Sequence, residues 1–119
     1  MILTSFRANA GANGISLTYS RGSQSVEDLV GLIGVKQYEI TNANGLKTIY
    51  DSHDVLIARE DLKFGDNFVT PKRGDKITYT HPVTEATVTL IVQFPDDKTP
   101  VFRDSDHQGY ILRIHTIAN

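Results

Sequence analysis

The stretch Ala86-Thr87-Val88-Thr89-Leu90-Ile91-Val92-Gln93-Phe94 decides the class of the fold. Ala86, Val88, Leu90, Val92 and Phe94 fall on one face and Thr87, Thr89, Ile91 and Gln93 on the other, the period-two pattern of a strand with one face in the core. Pro95-Asp96-Asp97 closes the stretch with residues that favour a turn.

The same signal recurs on both sides. Ile15-Ser16-Leu17-Thr18-Tyr19 places Ile15, Leu17 and Tyr19 on one face, and Arg21-Gly22 offers a turn after it. Residues 25–35 carry Val26, Leu29, Val30 and Ile33 at a spacing that also fits a helix, but Gly31 and Gly34 oppose a stable helix and the segment reads as a strand. Tyr38-Glu39-Ile40-Thr41 and Leu46-Lys47-Thr48-Ile49-Tyr50 flank Asn42-Ala43-Asn44-Gly45, whose Asn-Gly pair accepts the positive φ of a hairpin connection. Ala58-Arg59-Glu60-Asp61-Leu62 suits a single helical turn, too short to organise a fold. Gly65-Asp66 and Pro71-Lys72-Arg73-Gly74-Asp75 supply turns, and Ile77-Thr78-Tyr79-Thr80 a further short strand. The last strand, residues 110–117, sets Tyr110, Leu112 and Ile114 inward and Arg113 and His115 on the opposite face.

About seven or eight short strands with closely spaced turns predict an all-β domain, a small β-barrel or sandwich, because closing or doubling a sheet buries its apolar faces and protects its edges. The chain of 119 residues suits one such domain. Residues 8–14 (Ala-Asn-Ala-Gly-Ala-Asn-Gly) are small, so residues 1–13 are expected to form a flexible N-terminal arm and residues 14–119 the folded domain.

Composition narrows the function. There is no cysteine, which removes disulfides, thiolate metal sites and a cysteine nucleophile. A formal net charge of -2 provides no electrostatic footprint for wrapping nucleic acid. The N-terminus lacks the basic start and apolar run of a secretory signal, and no segment approaches the roughly 20 apolar residues of a membrane span. A cytoplasmic place of synthesis without membrane association is therefore expected.

Two dense segments invite a chemical reading: residues 51–62 (DSHDVLIAREDL), and Phe102-Arg103-Asp104-Ser105-Asp106 running on to Leu112-Arg113-Ile114-His115-Thr116. His53, His81, His107 and His115 lie near Asp51, Asp54, Asp104 and Asp106, yet their spacings match neither a helical i, i+4 ligand pair nor the clusters of recognised zinc sites. No serine sits in Gly-x-Ser-x-Gly, and neither a P-loop nor Gly-x-Gly-x-x-Gly is present. Arg73-Gly74-Asp75 matches an adhesion tripeptide but is equally what a turn requires. The tyrosines and phenylalanines fall mostly where alternation already assigns them to the core. Charge set beside apolar residues at Arg103, Asp106 and Arg113 fits an assembly interface or the anchoring of a loop. No catalytic, metal or cofactor site is assigned.

Leu17-Thr18-Tyr19-Ser20-Arg21-Gly22, Asp54-Val55-Leu56-Ile57 with Ala58 and Asp61-Leu62, Pro71-Lys72-Arg73-Gly74-Asp75-Lys76-Ile77, Phe102-Arg103-x-Ser105-Asp106 and Leu112-Arg113-Ile114-His115-Thr116 occur in an order that resembles the head-tail connector proteins of tailed bacteriophages and prophages, the head-completion or stopper class. The similarity runs from about Ile15 to Thr116. Phe102 stands where a larger aromatic is expected, and the arm has no counterpart. The resemblance implies a small β-barrel that forms a homo-oligomeric ring beneath the portal, joins portal or adaptor to tail proteins, and helps retain packaged DNA that passes without sequence-specific binding. It implies a structural protein of the virion neck, held in the host cytoplasm before assembly, with no enzymatic activity and no cofactor. Such a ring needs segments that bridge neighbours. The loops around Gly65 and over residues 95–108, together with residues 1–13, are the expected bridges. A tail terminator or other tail-associated ring protein, a stand-alone ligand-binding β-domain and a small hydrolase or metal enzyme are the competing readings.

Overall fold

The computed structural model describes residues 14–95, 99–105 and 109–118. The period-two stretches become β1 (Ile15–Arg21), β2 (Gln24–Thr41), β3 (Lys47–Ala58), β4 (Lys63–Phe64), β5 (Asn67–Phe68), β6 (Lys76–Thr80), β7 (Thr87–Val92), β8 (Phe102–Asp104), β9 (Ile111–Ile114) and β10 (Thr116–Ala118). A single 3₁₀ turn at Arg59–Asp61 follows β3, where one helical turn is expected. Eight strands form one antiparallel sheet in the order β10-β7-β6-β1-β2-β3-β9-β8, and β4 pairs with β5 in a small hairpin of its own.

The all-β expectation holds, and of its two forms the sandwich-like one is found. β9 and β10 are consecutive pieces of one segment, yet β9 pairs with β3 while β10 pairs with β7, near opposite ends of the sheet. The sheet must therefore curl until β3 and β7 face each other across the core. It does not close as a hydrogen-bonded barrel. Side-chain bonds span the seam instead: Ser52 Oγ donates to the Thr116 carbonyl at 3.4 Å, and Thr116 Oγ1 donates to the His53 carbonyl at 2.5 Å.

The core between the two halves is lined by Leu17 and Tyr19 of β1, Val55 and Ile57 of β3, Ile77 of β6, Leu90 and Val92 of β7, and Leu112 and Ile114 of β9, all buried. Each such side chain contributes about 1.5–3 kcal/mol by leaving water. Three expected core residues are exposed. Ala86 lies before the start of β7, Phe94 beyond its end and Tyr110 before the start of β9, so none is held to the alternation of its strand.

β2 is longer than the sequence suggests. The two segments expected around residues 25–35 and 38–41 are one strand of 18 residues. Gly31 explains why the chain tolerates glycine there: a Cβ would lie 2.6 Å from the Leu56 carbonyl oxygen and 2.7 Å from Leu17 Cδ1. β1 accompanies β2 only as far as Gly31, and β9 accompanies β3 only from Val55 onward. Beyond those points, among the described residues, β2 and β3 pair with each other alone, out to Thr41 opposite Lys47. A long two-stranded ribbon thus projects from the sheet. Its turn is the expected one, with Gly45 at φ +79° and Asn42 Oδ1 accepting from the Asn44 and Leu46 amides.

Between Leu17 and Tyr19 the register with β2 slips, so that Glu27 and Asp28 both stand opposite Thr18. This β-bulge bends β2 and carries Asp28 at φ +58°. It turns two carboxylates outward beside the 3₁₀ turn.

Candidate functional site

The two dense segments of the sequence are neighbours in the fold. β3 and β9 run antiparallel from Val55 opposite Ile114 to Ala58 opposite Ile111. Alternation sends Val55 and Ile57 into the core and leaves Asp54, Leu56 and Ala58 on the other face of β3. There Ala58 and Ile111 are buried with Leu32 and Leu56 packed against them.

Asp54 is the hub of that face, with its side chain 1% exposed. Oδ1 accepts from Ser52 Oγ at 2.8 Å and lies 2.8 Å from His115 Nδ1, while Oδ2 accepts from Arg113 at 3.1 Å. Burial pushes the Asp54 pKa upward, but the hydrogen bonds from His115, Ser52 and Arg113 outweigh it and hold the carboxyl at about 2. Serine, aspartate and histidine meet here without making a catalytic relay. Ser52 bonds to the carboxylate and not to the imidazole, so it lacks the serine–histidine contact of such a relay, and all three residues are buried. The arrangement fastens β9 and the start of β10 to β3.

A second buried carboxylate organises the other end of β1. Asp75 accepts from the Tyr19 hydroxyl, from Arg21 Nε at 2.8 Å and a terminal Arg21 nitrogen at 2.7 Å, and from the Lys72 amide at 3.0 Å. Burial acts to raise its pKa, and the bonds from Arg21 and Tyr19 bring it below the ordinary value. Burial and the bond to Asp75 push the Tyr19 phenol strongly upward. The Arg73-Gly74-Asp75 tripeptide is accordingly a turn whose aspartate, 3% exposed, is turned into the fold.

Of the residues singled out from the sequence, Arg103 is exposed on β8, directly opposite Arg113 in the register. Arg113 is half-buried and its charge meets Asp54. Asp106 lies outside the described residues, as do His107 and residues 1–13. Beside Arg103, Asp104 is paired with Arg59, whose Nε also donates to the Gly109 carbonyl at 2.7 Å. His81 is a turn residue: its Nδ1 accepts from the Val83 and Thr84 amides at 3.1 and 3.2 Å. Among the described residues no group of three or more His, Asp or Glu could hold a metal ion.

Sequence reasoning missed Asp54, Asp75 and Ser52 as organising residues. Asp54 sits in the alternation of β3 on the face that an isolated strand would show to solvent. The usable signal was its apolar company, since a lone carboxylate beside Val55-Leu56-Ile57 with an arginine and a histidine elsewhere on strand positions asks for a partner.

A family model of phage head-tail joining proteins matches residues 4–118, nearly the whole chain. The chain belongs to the phage head-tail joining protein family. No curated protein matches it. This joining-family member is thus a connector of the bacteriophage virion neck, a structural protein that meets other phage head and tail proteins, and its family is not one of enzymes. Its two buried carboxylate clusters suit that role, because they lock the β-scaffold.

Proposed function

We propose that the chain is a subunit of a homo-oligomeric ring in the phage neck, of the head-completion or stopper type, set between portal or adaptor and tail and helping to retain packaged DNA. The family match carries the reading, and the fold supports it. A scaffold braced at Asp54 and Asp75 supplies rigidity, while the ribbon of β2 and β3 reaches past the sheet, where Leu46 is 65% exposed. Ring subunits need such a rigid body and a reaching element, because heterologous contacts close into a ring only if the angle between neighbours is held.

In this reading the loops around Gly65 and over residues 95–108, and the arm of residues 1–13, bridge neighbours. Arg103 and Asp106 are contact residues, and Arg113 anchors the strand beneath them. The subunit waits in the host cytoplasm before assembly, and DNA passes a mildly acidic ring without sequence-specific binding.

Phage lacking this protein should fill heads with DNA, lose that DNA and accumulate unattached tails. Supplying the Arg103→Glu chain should restore attachment poorly, and the parental chain fully. Stable filled heads together with tails of irregular length would instead make the protein a tail terminator and overturn the stopper assignment.

A further inference from the structure

Three aromatic rings each carry a cation: Arg21 lies 5.7 Å from the Phe64 centroid, Lys63 4.7 Å from Phe68, and Arg73 6.0 Å from Phe94. Phe68 is 68% exposed and Phe94 47%. Phe64, Phe68, Arg21 and Lys72 line a concavity of about 320 Å³. Asp75 already answers the charge of Arg21, which leaves Lys72 and Arg73 to face outward.

A second concavity, of about 470 Å³, has the opposite character. The β-bulge and the 3₁₀ turn bring Glu27, Asp28, Glu60 and Asp61 around it, with Val30, 44% exposed, in its lining. β4 stands between the two concavities, giving Phe64 to one and Lys63 and Gly65 to the other, so the acidic concavity holds one cation among four carboxylates. Exposed aromatic side chains flanked by arginine or lysine are typical anchors of protein interfaces, and an apolar lining with a charged rim is what such an anchor enters.

We propose that Phe68, Lys72 and Arg73 of one copy dock into the acidic concavity of a second copy of this chain, Phe68 seating against Val30 and the two cations meeting Glu27 and its neighbours. The contact is heterologous, as a ring requires. It rests on the ring reading above and names the surface through which that ring closes. Charge complementarity favours a second copy over nucleic acid, since a concavity lined by four carboxylates matches the two cations and repels a phosphate backbone.

The test uses the full chain and two charge reversals, Lys72→Glu with Arg73→Glu, and Glu27→Lys with Glu60→Lys, each checked for parental circular dichroism and melting. Sedimentation velocity should show self-association of the parent, at least about tenfold weaker association of either variant alone, and recovery in an equimolar mixture of the two, where every contact is again between opposite charges. A variant that associates alone as the parent does, or a mixture that stays dissociated, overturns the proposed surface and leaves the ring intact. A parent that remains monomeric up to millimolar concentration overturns the docking of one free copy into another and leaves a ring that assembles only on the portal. Duplex DNA bound by the parent and released by Lys72→Glu with Arg73→Glu would assign the surface to nucleic acid instead.

Discussion

Nδ1 of His115 lies 2.8 Å from Oδ1 of Asp54, across 61 residues of sequence and with both side chains almost fully buried. The contact stands where the last segment leaves β9 and its pairing with β3 to join β7 as β10. His115 has no ladder position, but its amide donates to the Val101 carbonyl at 2.8 Å and its carbonyl accepts from the Gln93 amide at 3.1 Å. The crossover is thus held by both main chain and side chain.

Asp54→Ala should destabilise the protein by about 3 kcal/mol, because it leaves the Arg113 guanidinium without its buried counter-charge and removes the carboxylate that His115 Nδ1 meets. Urea unfolding measures this directly. Ser52→Ala, which removes one of several bonds to the carboxylate, should cost only about 1 kcal/mol. Equal effects of the two substitutions would contradict the role of Asp54 as hub.

Acid should weaken the fold in a defined window. The Asp54 carboxyl is held at about 2 in the folded chain, against an unfolded value of about 3.9, so its contribution is present above pH 4 and disappears as pH falls through 2. The shift corresponds to about 2–3 kcal/mol, and Asp75, also lowered, adds in the same direction. Unfolding midpoints recorded between pH 5 and pH 2 should fall steeply for the parent and less steeply for Asp54→Asn.

Neighbouring residues of the Arg73-Gly74-Asp75 turn should respond very differently. Asp75→Ala strips the partner from Arg21 and Tyr19 and should cost about 3 kcal/mol. Arg73→Ala removes only an exposed side chain 6.0 Å from the Phe94 ring and should change stability by less than about 0.5 kcal/mol. Thermal melts of the two variants provide the comparison.

Two glycines of β2 provide a further contrast. Gly31→Ala drives a methyl against the Leu56 carbonyl and Leu17, and should cost about 2 kcal/mol or more. Gly34→Ala meets nothing within 4 Å and should stabilise the strand by about 0.5 kcal/mol. Denaturant titration separates them, and a neutral Gly31→Ala would remove the close-approach explanation.

Period-two alternation and turn chemistry are local properties, and they were enough to determine the β class, the Asn42–Gly45 hairpin, the single turn at Arg59–Asp61 and the inward faces of β1 and of the middle of β7. The order of the motifs along the chain was enough to point to the joining family, which the match over residues 4–118 then established. Only the tertiary structure decided that the sheet curls without closing, since that depends on β10 pairing with β7 while β9 stays on β3. Only the structure, too, brought Asp54 to Arg113 and His115, and Asp75 to Tyr19 and Arg21. Alternation tells which face of a strand a residue occupies, but a buried carboxylate on the outer face is stabilised by partners from distant strands, and such pairings are set by register and sheet curvature rather than by any local spacing.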